Sequence, residues 1–258
     1  VALKEGVHMG IEYKDRLAKL MRFRSSADAE AWTSLEEYVS RMPEDQEAIY
    51  VILGQSVDAV AKSPHLEGLR AKGYEVLYLT DPIDEWVLSS LDSFDEKPLV
   101  SAMKADLSLD EKKADSEDSE EDKAEETAGF ETLIERFGSV LDERVSEVKL
   151  SKRLVDSPAC LVVGEGGMHA HIERLVRATD PSAQMPETKR ILELNATHPV
   201  VTELNGLATD EGRSEELGRW IELLYNHCLL AEGSPVTDPA GFANQVSELM
   251  VKALTPQA

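Results

Sequence analysis

The chain has 258 residues, 42% of them hydrophobic, which is enough to bury a core and long enough for two domains. Fifty acidic and 27 basic side chains give a formal net charge of −23, so no nucleic-acid partner is expected, because the phosphate backbone would be repelled. No run of about 18 apolar residues occurs, and we expect no membrane partner. The two cysteines have no paired spacing, which is typical of reduced thiols in a cytoplasmic protein.

The first segments have the spacing of connecting helices. Apolar residues predict a helix over residues 3–23, and Thr33 or Ser34 can cap a second helix that ends at Met42. A further helical segment is predicted to open at Ser63-Pro64, because serine is a favoured cap and proline a favoured first helical residue.

Two continuous apolar runs, residues 48–54 and 74–80, enclose that helical segment. Such runs are typical of strands that are buried on both faces. Strand, helix and strand in this order predict a parallel, right-handed crossover unit. Phe94 and residues 98–103 are predicted to complete this small α/β unit as a further strand.

A helix is predicted to start at Asp81-Pro82, with Asp84 completing an approximate capping box. Trp86 lies at helical spacing with Ile83 and Val87, and this spacing alone favours a place in the core over a functional role. Glu85 is most simply a solvated charge.

Residues 110–126 contain ten acidic residues and three lysines but no aromatic or β-branched apolar residue. Such a segment cannot bury apolar surface and is predicted to be a solvated linker or a frayed helix. We therefore predict an acidic linker over residues 106–127, which separates a first domain at 1–105 from a second at 128–258.

The second domain is predicted to contain an apolar-striped helix over residues 130–141 and three short strands, at 145–150, 159–163 and 190–194. Its last two elements have the clearest helical spacing. The apolar stripe of the first helix consists of Leu217, Trp220, Ile221, Leu224, Cys228 and Ala231. That of the second, which Asp238 caps, consists of Phe242, Val246, Leu249 and Met250.

A terminal helical hairpin of this kind has two possible uses, and spacing does not separate them. Its apolar faces can pack on their own domain, or they can pair with a second copy around a two-fold axis as a four-helix bundle.

Residues 157–178 combine a short apolar run, a glycine cluster and a helical pattern whose stripe is Met168, Ile172, Leu175 and Val176. Three interpretations fit this stretch: a phosphate-binding turn at a helix start, a core-facing helix, or an exposed apolar ridge for a partner. The glycine spacing disfavours the first, because neither G-x-G-x-x-G nor a phosphate-loop lysine is present and Glu165 would repel a phosphate. The other two remain open.

No motif indicates catalysis or a resident metal. His169 and His171 are two residues apart, so on a helix their rings diverge, whereas a helical zinc pair is four apart. The main alternative class is a small α/β enzyme or nucleotide-binding module, with its ligand near Gly54-Gln55-Ser56 and Asp81 at the carboxyl ends of the strands. Neither place offers a nucleophile, a base or a phosphate cradle.

Several segments in this order resemble the heat-shock protein 90 chaperones, most closely the bacterial members. They include Thr-Ser-Leu-Glu-Glu-Tyr-Val-Ser-Arg-Met at residues 33–42 and Asp-Pro-Ile-Asp-Glu-Trp at 81–86, together with residues 63–66, 94–95, 150–160, 191–195, 198–199 and 229–233. The resemblance covers nearly the whole chain.

The resemblance implies an α+β fold: the distal part of a middle domain at 1–105, and a C-terminal domain whose helical hairpin forms a dimeric four-helix bundle. It also implies that the ATP and magnesium site of these stress-response chaperones lies outside this chain, so that no catalytic residue, metal site or cofactor is expected within it.

Further implications concern partners. The resemblance implies that unfolded or partly folded client proteins contact Glu85, Trp86, Met168, Ile172, Leu175 and Val176. It also implies a homodimer interface at Leu217, Trp220, Ile221, Leu224, Phe242, Val246, Leu249 and Met250, with other chaperones as possible partners in the cytoplasm.

Overall fold

The computed structural model describes residues 2–9, 13–105, 107, 128–164, 167 and 188–254. They divide into two units. The described part of the first unit comprises residues 2–9, 13–105, 107, 152–156, 162–164, 167 and 188–189, and that of the second comprises residues 128–151, 157–161 and 190–254. The predicted acidic linker lies almost wholly outside the described residues and stays a prediction.

The first unit contains the short helices and the strands of an α/β arrangement. Its helices are α1 (Ala2–Met9), α2 (Lys14–Ala18), α3 (Leu35–Arg41), α4 (Val57–Val60), α5 (Glu67–Ala71) and α6 (Asp84–Ser90), with a 3₁₀ turn at Pro64–Leu66 before α5. Its strands are β1 (Arg24–Ser25), β2 (Ile49–Leu53), β3 (Val76–Leu79), β4 (Ser93–Phe94) and β5 (Lys97–Ser101).

The strands form one sheet in the order β1-β3-β2-β5-β4. Strand β2 pairs in parallel with both β3 and β5, whereas the two-residue edge strands β1 and β4 pair antiparallel. Every residue of β2 and of β3 is buried, as the continuous apolar runs predict. The predicted parallel crossover between these two strands is confirmed. The further strand predicted from Phe94 and residues 98–103 is present as β4 and β5, whereas β1 was not predicted.

Sequence signals for helix starts were mostly right. Ser34 and Glu37 form a reciprocal capping box at the start of α3, and the Ser63 hydroxyl accepts the N–H of His65 at the 3₁₀ turn. The predicted helix over residues 3–23 is wrong at its end. Phe23 is buried there and exchanges two backbone hydrogen bonds with Thr33, at 2.9 and 2.8 Å. This pairing replaces the helix that the apolar spacing predicted.

The second unit contains helices α7 (Glu131–Leu141), α8 (Pro199–Ala208), α9 (Ser214–Ala231) and α10 (Pro239–Leu254), with a 3₁₀ turn at Glu211–Arg213. Strands β6 (Val145–Leu150), β7 (Ala159–Val163) and β8 (Arg190–Leu194) form a sheet in the order β6-β8-β7, in which β6 and β8 are parallel. The last two residues of β7 are assigned to the first unit. All three predicted strands, and the predicted α7, α9 and α10, are confirmed. The α+β class is confirmed as well.

Helix α8 was not predicted, although its start has a clear signal. Pro199 occupies the first helical position and the imidazole Nδ1 of His198 accepts the N–H of Val200 at 3.1 Å. Helices α7, α8 and α9 pack on one another. Their buried side chains include Leu133, Phe137, Leu141, Val201, Leu204, Ala208, Leu217, Ile221 and Cys228.

A buried tyrosine links α3 to the sheet of the first unit. The Tyr38 hydroxyl donates to the carbonyl of Glu75 at 2.6 Å and accepts from Gln46 Nε2 at 2.8 Å and from the N–H of Tyr50 at 3.1 Å. Burial raises the pKa of the Tyr38 hydroxyl well above its ordinary value of 10.0. The hydroxyl therefore stays protonated and able to donate.

Replacing Tyr38 with Phe should lower the free energy of unfolding by about 1–3 kcal/mol, because the buried partners of the hydroxyl lose their hydrogen bonds. Urea unfolding measures this, with Tyr13→Phe as an exposed control. Since folding raises the pKa of Tyr38, its contribution is complete below about pH 10 and is lost as the pH rises further. Equal stabilities of the two variants would contradict the role of the hydroxyl.

Candidate functional site

The turn between β3 and α6 brings two carboxylates together at the carboxyl end of the parallel strands. The Asp84 side chain is fully buried, and its Oδ2 accepts the N–H of Asp81 at 2.9 Å. This is the reciprocal half of the capping box that the sequence predicted. The helix itself begins at Asp84, later than predicted, and no side chain caps it at Ile83.

Lys4 of α1 reaches these two carboxylates. Its ammonium lies 2.6 Å from Asp84 Oδ1, 2.7 Å from Asp81 Oδ2 and 4.8 Å from the centre of the Phe23 ring. Burial raises the pKa of the Asp84 carboxyl, and the charge of Lys4 opposes this shift. Lys4 was missed by sequence reasoning. The available signal was its place on the same helical stripe as Val7, three residues later, which is also buried.

Glu85 and Trp86 lie in the first turn of α6. The Trp86 side chain is 43% exposed, whereas Val87 beside it is 2% exposed and faces the core. The expectation from spacing that Trp86 is a core residue is therefore wrong. Glu85 is half-buried, so it is less solvated than its sequence context indicated. An exposed aromatic ring next to a carboxylate is suited to contact with another protein.

The predicted stripe of Met168, Ile172, Leu175 and Val176 lies outside the described residues. The turn before it is described at Gly164 and Gly167, where the N–H of Gly167 donates to the carbonyl of Gly164 at 3.0 Å. A Cβ at Gly167 would lie 2.8 Å from side-chain carbons of Val163 and Thr188. Glycine is needed there because neighbouring side chains leave no room, which is a reason independent of phosphate binding.

The positions that would serve a nucleotide-binding module have structural roles. A Cβ at Gly54 would lie 2.3 Å from Val60 Cγ1, and the Ser56 hydroxyl caps α4 by accepting the N–H of Ala59. Asp81 is engaged by Lys4. This part of the alternative hypothesis is not favoured.

In the helical hairpin, the apolar stripe of α9 mostly faces its own unit. Leu217, Ile221 and Leu224 are 2%, 0% and 7% exposed and belong to the core of the second unit. These three predicted interface residues therefore pack within their own chain. This agrees with the alternative in which the hairpin packs on its own domain. Trp220 is half-buried and packs at the edge of that core.

Helix α10 differs, because none of its residues is buried. Asp238 accepts the N–H of Gly241 at 2.9 Å and so caps the helix as predicted. Phe242, Val246 and Leu249 are half-buried, and Met250 is 59% exposed. The apolar stripe predicted for α10 is thus only partly covered in the single chain, and Met250 is its most accessible residue.

An open groove with an empty volume of about 440 Å³ lies between α9 and α10. Apolar side chains and charged side chains of both signs line it, from both helices. The lining residues are Glu216, Arg219, Trp220, Leu223, Gln245, Glu248, Leu249 and Lys252. A mixed surface of this kind is typical of protein interfaces, which have an apolar centre and a polar rim.

Helix α9 is also held to its own unit by polar contacts. The Arg144 guanidinium donates to Glu222 at 2.7 Å and lies 5.1 Å from the Tyr225 ring centre, and Arg190 pairs with the buried Glu232 at 3.9 Å. Burial raises the pKa of the Cys228 thiol on the same helix. These contacts make α9 a firm support for α10.

Metal sites and membrane spans are considered only for the part of the chain that the structure describes. None of its clusters of three or more His, Cys, Asp or Glu side chains could hold a metal ion. None of its helices is both long and apolar enough to cross a membrane.

Fold and surfaces together define a two-unit α+β chain with an accessible apolar helix at its C-terminal end. Comparison with known proteins identifies its family: the whole chain, residues 1–258, matches the family described as Hsp90 protein. The chain therefore belongs to the Hsp90 family.

Curated relatives named chaperone protein HtpG are similar over nearly all of the chain. The Myxococcus xanthus protein is 47% identical over 253 residues, which cover 97% of this chain and 38% of the relative. The Geobacter sulfurreducens protein is 45% identical, covering 96% of this chain and 38% of the relative, and the Bordetella avium protein is 41% identical, covering 97% and 39%. The chain thus spans less than two fifths of the length of these relatives.

Lys4→Met should lower the free energy of unfolding by about 3–5 kcal/mol at neutral pH, because it leaves the buried Asp84 carboxylate without its cation. Replacing both partners, as Lys4→Met with Asp84→Asn, should recover most of this loss. Lys19→Met is the matched control. Its ion pair with Glu36, at 3.4 Å, has both side chains more than half exposed and contributes under about 1 kcal/mol.

The deficit of the Lys4→Met variant should shrink as the pH falls. Without the ammonium, the pKa of Asp84 rises further in the folded state, so the folded protein takes up a proton more readily than the unfolded one. Denaturant titrations at pH 7.5 and at about pH 5, each against wild type, measure this. A deficit independent of pH would contradict the assignment.

Proposed function

We propose that this chain is the client-contacting and dimerising portion of a bacterial ATP-dependent chaperone that assists protein folding and remodelling under stress. The match of all 258 residues to the Hsp90 family carries the proposal. ATP and magnesium would bind elsewhere in the parent protein, so the role of this portion is binding. We place the parent protein in the cytoplasm, a proposal that the two buried cysteines, whose spacing in the sequence has no pairing signature, support.

The proposed dimer interface centres on α10 and on the adjoining face of α9. Phe242, Val246, Leu249 and Met250 supply the apolar surface of α10, with Trp220 from α9 beside the groove. Full burial of a large apolar side chain contributes about 1.5–3 kcal/mol. The half-buried side chains would each contribute part of this amount and the 59% exposed Met250 more, and together two copies of this surface are proposed to outweigh the entropy lost on association. A two-fold pairing would complete the predicted four-helix bundle.

Burial divides the predicted interface residues into two groups. Leu217, Ile221 and Leu224 would support the interface from the core of their own unit, because they have almost no surface left to lose. The energy of association would instead come from α10 and Trp220.

The client surface is proposed to combine two contributions. Glu85 and Trp86 supply a carboxylate and a partly exposed aromatic ring on α6. Met168, Ile172, Leu175 and Val176 supply an apolar stripe in the sequence, and methionine suits such a surface because its flexible, polarisable side chain adapts to varied partners. Unfolded or partly folded proteins and other chaperones are the proposed partners.

Leu249→Glu with Met250→Glu should convert the dimer to a monomer at micromolar concentration, because association would bury four carboxylates. Sedimentation equilibrium measures the change. Leu133→Ala is the control: it should lower stability by about 2–5 kcal/mol through a core cavity but leave the dimer intact. A wild-type chain that sediments as a monomer at micromolar concentration would contradict the proposed interface.

The triple variant Met168→Ser, Ile172→Ser and Leu175→Ser should bind an unfolded probe, such as reduced carboxymethylated α-lactalbumin, about tenfold or more weakly than wild type. Melting temperature and dimerisation should not change. Leu20→Ser, at a 55% exposed apolar position outside the proposed surface, is the control. A large loss of stability in the triple variant would instead identify the stripe as core.

Calorimetry with ATP tests the alternative class. The proposal predicts no tight binding of ATP to this chain, because neither carboxyl end of β2 or β3 offers a phosphate cradle. Tight binding with one site per chain would favour a nucleotide-binding module.

A further inference from the structure

Three elements of the first unit meet around one ammonium group. Lys4 comes from α1, the two carboxylates come from the turn that starts α6, and the Phe23 ring comes from the segment before β1. Lys4 as a whole is only 7% exposed. Helix α1 packs against both α2 and α6, and Gly6 is close enough to Leu17 that a Cβ there would lie 2.9 Å from its Cδ1.

The packing of α1 and the orientation and protonation of Asp84 depend on each other, because the charge of Lys4 stabilises the charge of Asp84. A fully buried carboxylate is unfavourable unless a cation and hydrogen bonds compensate it. The N–H of Asp81 supplies one hydrogen bond and Lys4 supplies the cation. If α1 leaves, Asp84 must turn towards water or take up a proton. Either change alters the turn that holds the start of α6.

The first turn of α6 is held in part by its backbone, because the N–H of Asp84 donates to the carbonyl of Asp81 at 2.9 Å and the N–H of Val87 donates to that of Ile83 at 3.1 Å. Asp84 is a fully buried charged residue at the start of this seven-residue helix. The way in which Asp84 is held therefore contributes to the orientation of the first turn. Glu85 and Trp86 are the next two residues of that turn, so a change at Asp84 is transmitted to them through the same helical backbone.

We propose that Lys4 is a positioning residue for the surface formed by Glu85 and Trp86: its ammonium, held between Asp81 and Asp84, couples the seating of α1 to the orientation of Trp86. The consequence for client binding rests on the function proposed above, whereas the coupling itself rests on the ion pair and the packing of α1. Lys4 contacts no client. It acts through Asp84.

The test uses the whole chain in a background in which Trp86 is the only tryptophan, made by Trp32→Phe and Trp220→Phe. Lys4→Met and the double variant Lys4→Met with Asp84→Asn are compared with Lys19→Met as the control. Acrylamide quenching reports the accessibility of Trp86, and reduced carboxymethylated α-lactalbumin reports binding of an unfolded protein.

The double variant separates positioning from stability, because it removes both charges and should fold nearly as stably as wild type. It should nevertheless show a changed quenching constant for Trp86 and an affinity for the probe lowered about fivefold or more. The Lys19→Met control should match the otherwise unchanged single-tryptophan background in both readouts. If Trp86 quenching in the double variant equals that of wild type, the ion pair serves stability alone and the inference is overturned.

Trp86→Ala distinguishes this inference from the proposed function. If Trp86→Ala binds the probe as well as wild type does, the proposed client contact at this surface is wrong, while the quenching comparison still decides the coupling. If Trp86→Ala weakens binding but the double variant neither shifts quenching nor weakens binding, the client contact stands and the role of Lys4 is overturned.

Discussion

The central strand β2 is the constraint on which the first unit depends. All five of its residues are buried, and both of its edges are hydrogen-bonded to parallel neighbours. A strand in this position leaves only one arrangement for the connecting segments, which must cross the faces of the sheet and return at the same end. The turn after β3 therefore emerges beside the end of β2. Two acidic side chains are thereby brought to an edge where a lysine from the first helix can reach them.

Sequence patterns succeeded where one physical effect dominated. The apolar runs at β2, β3 and β7 predict strands because burial on both faces requires every side chain to be apolar. The capping residues Ser34 and Asp238 predict helix starts because their oxygens accept backbone N–H groups that the helix leaves free. Such signals are local, so they can be recognised without knowing the rest of the fold.

Patterns failed where a distant partner decided the outcome. Phe23 fits a helical stripe, but its backbone pairs with Thr33 across a turn. Trp86 has the spacing of a core residue, yet it is partly exposed and the neighbouring Val87 is buried instead. Lys4 is unremarkable in sequence because its partners lie 77 and more residues away, and no local rule relates a lysine to a carboxylate at that separation. Spacing could predict the apolar stripes of α9 and α10 but not which of the two is buried in the core.

The contrast between α9 and α10 has a consequence for dynamics. Helix α9 is fixed by core packing and by ion pairs, whereas α10 has no buried residue to oppose local opening. Amide protons on α10 in an isolated chain are expected to exchange faster than those on α9, because local unfolding of α10 exposes no fully buried side chain. In the proposed dimer their protection would follow mass action and rise with protein concentration, because a bound second copy would cover the helix. The degree of order of α10 would therefore depend on the protein concentration as well as on the sequence.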